Sequence, residues 1–433
     1  MNIIDLKNIN YGLIKTIKKA DKNKNYNIGA IFKYKRNEKH LTLFELCDGI
    51  CCVAYQSRVE RNVYDTLNDK IIPLLCERLD LNYEEMLIGT SIEELKQGLH
   101  EFMRLDMEAL KKRYKKCNQN YYFSTNNLIV CMYQLLMKNY AVFNDYIVKL
   151  DYLKSTMNVL ELSSLLLVMI YYYIDTYQYE KALNYLDYAY ALGSQNSDLM
   201  IMLQECKTIV TCKLYSKYKN DNHDIVKHEY EEMKKLYIYA YPFSKQQSLM
   251  LNYLETLKAE EAYSILTQYE NDSVLIQDEQ FYYTKCLILT KCGKYKECLE
   301  IIDSMKEISH KFVCLYAYSL KEIIQFQSNV TNPDLISDAK NKLKKYIHEA
   351  SINNEDTIHI AFIKLMEMEI DGGNNDHLIF DHIKQEMLPL LQSFHVSFYF
   401  DYCLEKIYRL IGKLAKYKEA YEILKLLHFS NLK

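Results

Sequence analysis

The 433-residue chain contains no Trp, four Pro and ten Gly. So few turn-breakers exclude a collagen-like or Pro/Gly-rich low-complexity chain, and a hydrophobic content of 49% excludes general disorder. An excess of charge is also missing, since 54 Lys+Arg stand against 57 Asp+Glu. A protein that is basic along its whole length is thereby excluded. Long apolar runs are absent too. The longest, residues 162–174, lies between Glu161 and Asp175 and falls short of the roughly 20 residues that cross a bilayer. It is expected to be a buried helix, with no membrane span in the chain. The opening MNIIDLKNIN lacks the charged start and apolar run of an export signal, so the 13 Cys are expected as reduced thiols of a cytoplasmic protein.

What is present is uneven. Residues 1–62 hold twelve Lys and Arg against six Asp and Glu, a local charge of +6, which leaves −9 for the remainder. A basic head on an acidic body fits a polyanion-binding module joined to one that does not bind polyanions. At the very start, Ile3, Leu6, Ile9, Leu13 and Ile17 form one helical stripe, with Lys15, Lys18, Lys19, Lys22 and Lys24 clustered behind. Such a basic amphipathic helix suits a membrane surface, DNA phosphates or packing on the next domain. Residues 21–27 are expected as a linker.

Residues 28–88 divide into five short helices, expected near 28–38, 43–47, 53–61, 68–79 and 83–87. Thr42 with Glu45 predicts a capping box, Gly49 a turn, and Leu46, Ile50, Val53 and Val59 a shared core that closes two helices at a steep angle. The run LTLFEL, DGI and YQSRVERN resembles the repressor-type (Cro/XRE) helix-turn-helix. That resemblance implies a second helix lying in the major groove, with Ala54, Tyr55, Ser57 and Arg58 at base edges. Arg58 is the strongest candidate, because a guanidinium bonds guanine at two atoms. Lys33, Arg36, Thr42, Arg61 and Asn62 would hold phosphates. Leu43, Gln56 and Asn62 depart from the family's pattern, and a core-facing Gln56 needs a hydrogen-bond partner.

Residues 89–115 are expected to form a linker helix and residues 116–433 a repeat domain. In this body a Tyr precedes a small residue by three positions and an aliphatic one by seven: Tyr179, Ala182, Leu186; Tyr295, Cys298, Ile302; Tyr417, Ala420, Leu424. These triplets look like tetratricopeptide repeats, which implies helix pairs stacked into a right-handed solenoid with a concave face. Projected on that pattern, the inner face carries Ser164, Leu167, Tyr171, Ile174 and Asp175, then Tyr283, Leu287, Thr290 and Lys291, then Tyr402, Glu405, Arg409 and Lys413. The charged and aromatic members (Tyr171, Asp175, Tyr283, Lys291, Tyr402, Glu405, Arg409) are the candidates for binding a peptide.

The expected fold is therefore all-α, a repressor-type head followed by a tetratricopeptide-like solenoid. That pairing resembles the RRNPP family of bacterial quorum-sensing transcriptional regulators. The resemblance implies a cytoplasmic homodimer that binds double-stranded DNA under the control of a short signalling peptide. Some relatives use the repeats to hold a response-regulator protein, which is the alternative partner. Phosphate-loop, dinucleotide and serine-hydrolase motifs are lacking, so no enzyme and no cofactor are expected. Cys286, Cys292 and Cys298, spaced by six and so turned away from one another on a single helix, predict no metal site.

Overall fold

A computed structural model describes residues 6, 9–20, 28–61, 68, 70–83, 92–117, 123–154, 157–214, 223–270, 276–326, 333–353, 357–370, 376–394, 396–414, 416–419 and 421–423. Among these residues the regular structure is entirely helical. The chain divides into two units, one of residues 1–175, 181–207 and 240–242, the other of residues 176–180, 208–239 and 243–433.

The first unit opens with α1 (Tyr11–Ala20), followed by α2 (Ile28–Glu38), α3 (Leu43–Cys47), α4 (Val53–Glu60) and α5 (Ile71–Arg78). Ile28, Ile31, Phe32, Leu46, Val59, Ile72, Leu75 and Leu79 form one core between α2 and α5. Thr42 caps α3 as its spacing predicts. Its hydroxyl accepts the Glu45 N–H at 3.2 Å while the Glu45 carboxylate accepts the Thr42 N–H at 2.7 Å. Gly49 takes φ +70 just after the helix, a left-handed conformation that a residue with a Cβ adopts at a cost. The open carbonyl end of α3 is closed from a distance. Arg78 of α5 donates to the carbonyls of Glu45, Leu46 and Asp48 at 3.2, 3.1 and 2.6 Å, a cation where the helix dipole is negative. Val53, expected in this core, is 39% exposed, because at the first position of α4 it shares the outward face with Ala54 and Ser57. The fifth expected helix, 83–87, lies outside the described residues except for Tyr83.

Residues 89–115 do not form one linker helix. They supply α6 (Ile92–Met103) and α7 (Met107–Cys117), and both pack against α8 (Ser124–Leu136). A Cβ on Gly98 of α6 would stand 3.1 Å from the Ile129 side chain, so the missing side chain sets how closely α6 approaches α8. Leu95, Leu99 and Phe102 on the same stripe are buried, and this burial is what turns a polar-looking segment into part of the core. Next come α9 (Tyr140–Leu153), which packs on α8 and on α2, α10 (Val159–Asp175), and α11 (Tyr179–Leu192). Residues 162–170 of α10 are buried throughout, as expected of the apolar run. Among the described residues no helix is long and apolar enough to cross a membrane.

Helix α12 (Ser197–Leu214) belongs to the first unit through residue 207 and to the second from residue 208, and after α13 (His223–Ala240) the second unit continues with α14 (Phe243–Leu254), α15 (Ala259–Glu270), α16 (Glu279–Lys291), α17 (Tyr295–Asp303), α18 (His310–Phe326), α19 (Pro333–Asn353) and α20 (Thr357–Ile370). Each of α14 to α20 packs on helices near it in sequence. The helix of α21 (Asp376–His382) and α22 (Leu388–Ser393) is continuous through a π-turn, Ile383–Met387, and α23 (Ser397–Leu414) completes the series. Side-chain pairs fix the direction of the alternate helices. Cys314 donates to the His359 carbonyl and Lys321 lies 3.8 Å from Glu369, while His359 bonds Tyr399 at 2.8 Å and Glu369 lies 3.1 Å from Lys406. Residue numbers rise together along all three helices, so α18, α20 and α23 run parallel.

The small and aromatic positions of two triplets are packed inside. Ala182, Leu186, Cys298 and Ile302 are buried, as is Tyr179, and Tyr295 is half-buried. The third triplet differs: Tyr417 is 62% exposed, and Leu424 lies outside the described residues. The prediction that Cys286 and Cys298 face apart also fails. They sit on different helices, α16 and α17, and both are buried in one core.

Candidate nucleic-acid interface and inner helical face

Helix α4 is divided by burial into two faces. Gln56, Val59 and Glu60 point inward, while Val53, Ala54 and Arg58 are exposed and Ser57 is half-exposed; Arg61, just past the helix, is exposed as well. Positions 53, 54, 57, 58 and 61 lie on one side of a 3.6-residue helix, so the outward residues form a single strip. Arg58 has no ion-pair partner among the described residues.

The inward face explains Arg36. Its Nε and one terminal nitrogen bond both Glu60 oxygens at 2.7 and 2.9 Å, and its other nitrogen donates to the Leu41 carbonyl at 2.8 Å. With side chains 13% and 5% exposed, this is a buried fork-to-fork pair. The hydrogen bond from Arg36 to Glu60 raises the arginine's already high pKa. Arg36, expected at a phosphate, is instead an internal strut between α2 and α4. Gln56 finds its partner in the same place, since Nε2 donates to Glu60 Oε1 at 3.2 Å while Gln56 Oε1 has none.

The remaining expected contacts separate in a similar way. Ala54, Ser57, Arg58 and Arg61 share the strip, with Arg61 Nε also donating to the Ser57 carbonyl at 3.0 Å. Lys33 is exposed on α2. Thr42 is exposed with its hydroxyl occupied by the cap. Tyr55 packs against the head's core and accepts the Asn68 N–H at 3.1 Å, so it leaves the strip. Asn62 lies outside the described residues. Charge counting overstated the head's free positive charge: Arg36 is spent on Glu60, Lys35 pairs with Glu38 at 2.5 Å, and Lys39 pairs with Asp80. Glu60 and Arg78 were not foreseen as structural residues, because their partners lie 24 and about 30 positions away.

No family model, curated protein or solved structure matches this chain.

Of the residues expected on an inner face, Ser164, Leu167, Leu287 and Thr290 are buried, and the hydroxyls of Ser164 and Thr290 donate to carbonyls of their own helices. In the first unit Tyr171 is half-buried; its phenol donates to Glu205 at 2.6 Å, and Glu205 also accepts the Tyr241 phenol at 2.9 Å. Asp175 is exposed at the last position of α10, and neighbouring protein that displaces water pushes its carboxyl up to about 6, against the opposing pull of Lys138 and of a 3.2 Å hydrogen bond from Tyr140. In the second unit Tyr283 lies edge-on to Phe312, and Lys291 donates to the Glu255 carbonyl at 2.9 Å. Glu405 and Arg409 form an exposed pair at 2.5 Å.

Tyr402 borders a charged cluster that the repeat pattern did not point to. Lys321 Nζ lies 2.5 Å from Glu322, donates to the Tyr402 hydroxyl at 3.2 Å, and sits over the Tyr318 and Tyr402 rings. Glu369, with a side chain 1% exposed, lies between Lys321 and Lys406, and neither of its oxygens makes a hydrogen bond of good geometry. Among the described residues no group of His, Cys, Asp and Glu is placed to hold a metal ion.

Proposed function

We propose that the chain is a cytoplasmic, DNA-binding transcriptional regulator whose head is a repressor-type helix-turn-helix. Its helical body acts as a tetratricopeptide-like receptor for a short signalling peptide. The observation that carries this reading is the strip on α4: a short helix after a glycine turn, fastened from behind by Arg36, Glu60 and Gln56, with Arg58 and Arg61 facing outward. The fastening fixes the strip's orientation without using the outward side chains, which is what base readout requires. Arg58 reads a base edge, while Lys33 and Arg61 hold phosphates. The candidate peptide-contacting residues are Tyr171 and Asp175 in the first unit and, taken separately, Tyr283, Lys291, Tyr402, Glu405 and Arg409 in the second. The protein acts as a homodimer, and the peptide controls DNA binding by favouring one arrangement of the two heads over another.

The test is selection of bound fragments from random duplex DNA by the purified chain, beside Arg58→Ala at the same salt. A shared inverted repeat is expected, with specific affinity falling about 5- to 150-fold in the variant, the equivalent of about 1–3 kcal/mol. An unchanged footprint for Arg58→Ala sinks the reading of α4. Absence of any enriched sequence, with and without peptides, sinks the regulator.

A further inference from the structure

Helix α7 carries five cations, Lys111, Lys112, Arg113, Lys115 and Lys116, against one carboxylate, Glu108, although it lies outside the basic segment 1–62. Packing sorts these cations into two groups. Arg113 turns toward α6, where its Nε and one terminal nitrogen bond both Glu101 oxygens at 2.9 and 2.7 Å and its other nitrogen bonds Glu94. Lys116 joins Glu94 at 3.0 Å. The other acids of the α6–α7 pair are also engaged: Glu93 holds Lys96 at 2.6 Å, and Asp106 caps α7 by accepting the Ala109 N–H at 3.0 Å. Lys111, Lys112 and Lys115 are left. All three are exposed, and among the described residues none makes an ion pair or a hydrogen bond.

At 3.6 residues per turn these three positions fall within about 100° of one another, on the side away from buried Leu110 and Cys117 and from Tyr114, which stacks on Tyr133 of α8 at 4.5 Å. The strip is thus fixed from behind. Helix stability does not account for it: like charges four residues apart cost a few tenths of a kcal/mol, and Lys111 and Lys112 precede the last turn, where the dipole favours a cation. Glu108, exposed one turn earlier, offsets one of the three charges. The strip is also within reach of the head. Helix α2 packs on α9, and α9 and α7 both pack on α8. Three interaxial steps of about 8–10 Å bring α7 within about 30 Å of α2, less than one turn of duplex, about 34 Å.

We propose that Lys111, Lys112 and Lys115 form a second contact with duplex DNA, holding phosphates beyond the segment that α4 reads. This rests on the reading of the chain as a DNA-binding protein. An ammonium is a point charge on a flexible stem that accepts phosphate oxygens from any direction, so the strip adds affinity and register while leaving sequence choice to Arg58. Each phosphate it neutralises releases counterions, which makes the contribution depend on salt.

The test titrates the full chain into fluorescein-labelled duplex of random sequence, about three helical turns long, between about 50 and 200 mM salt while anisotropy is read. The triple variant Lys111→Gln, Lys112→Gln, Lys115→Gln is compared with Lys227→Gln, Lys234→Gln, Lys344→Gln, which removes the same charge from exposed lysines elsewhere. Both should fold, since every altered side chain is exposed. In the α7 variant the slope of log affinity against log salt should fall by about 2–3, at about 0.9 per lost phosphate contact, with affinity at least about ten-fold lower and the selected sequence unchanged. The control should keep its slope. An unchanged slope in the α7 variant, with Arg58→Ala still losing its footprint, overturns the strip alone, and so does an equal fall in the control. A lowered slope in the α7 variant beside an unchanged footprint for Arg58→Ala upholds the strip and overturns the reading of α4. No duplex binding by the unaltered chain overturns both.

Discussion

Two buried charge clusters, one in the head and one in the second unit, solve the same problem differently. In the head, Arg36 meets Glu60 fork to fork, its third donor finds the Leu41 carbonyl, and Gln56 adds a further donor to Glu60. In the second unit Glu369 is more deeply buried, but it faces two lysines, one at 3.1 Å and one at 3.8 Å. A lysine is a point charge whose three donors match no fixed pair of oxygens, whereas guanidinium is planar and matches a carboxylate at two points. The head's cluster is therefore closed and the second unit's is left open. A carboxylate matched at two points is held more rigidly than one faced by point charges.

The comparison breaks first at Glu60. Glu60→Ala strands a buried guanidinium, and the cost expected is about 3–5 kcal/mol, measured by chemical denaturation. A loss below about 1 kcal/mol would show that the pair holds nothing. Histidine titration comes next. Burial lowers His359 to about 3 from a usual 6.5. A group depressed on folding takes up its proton first in the unfolded chain, so stability should be intact above about pH 6.5. It should fall by about 1.4 kcal/mol per pH unit as the pH drops toward 3. Replacing His359 with Phe should flatten that slope; an unchanged slope would assign it to other groups.

Glu369→Gln sharpens the contrast. Glu322 still pairs with Lys321 and Lys406 is partly exposed, so the loss should be about 1–2 kcal/mol, well under that at Glu60. Parity between the two sites would refute the distinction between closed and open clusters. Asp175→Asn should raise the melting temperature slightly at pH 7 and not at all below pH 3.8, because a carboxyl whose pKa is raised on folding costs stability only while charged. The same variant should weaken peptide binding. The smallest expected effect on folding is that of Arg58→Ala, within about 0.5 kcal/mol, since the side chain is exposed and no partner is lost.

Much of the architecture was legible from local pattern. Periodicity located α2, α3 and α4 to within a residue and α10 to within three, and the Thr42–Glu45 pair announced the start of α3. The same reasoning misplaced Val53 and treated residues 89–115 as a linker, because a local pattern reports that a stripe exists without saying what covers it. Arg36 shows the limit most clearly. From sequence it was one more positive charge beside a DNA-reading motif, and only the approach of Glu60, 24 residues on, made it a strut.

What the sequence determined by itself is whatever depends on neighbours within a turn or two: helical content, capping, the turn at Gly49 and the amphipathic character of α1. The tertiary structure decided which charges are spent and which remain free, that Tyr11 of α1 lies against Tyr188, and that Cys286 and Cys298 share one core. These outcomes depend on approaches between distant segments, whose energies come from desolvation and fixed geometry, and neither quantity is written in local spacing.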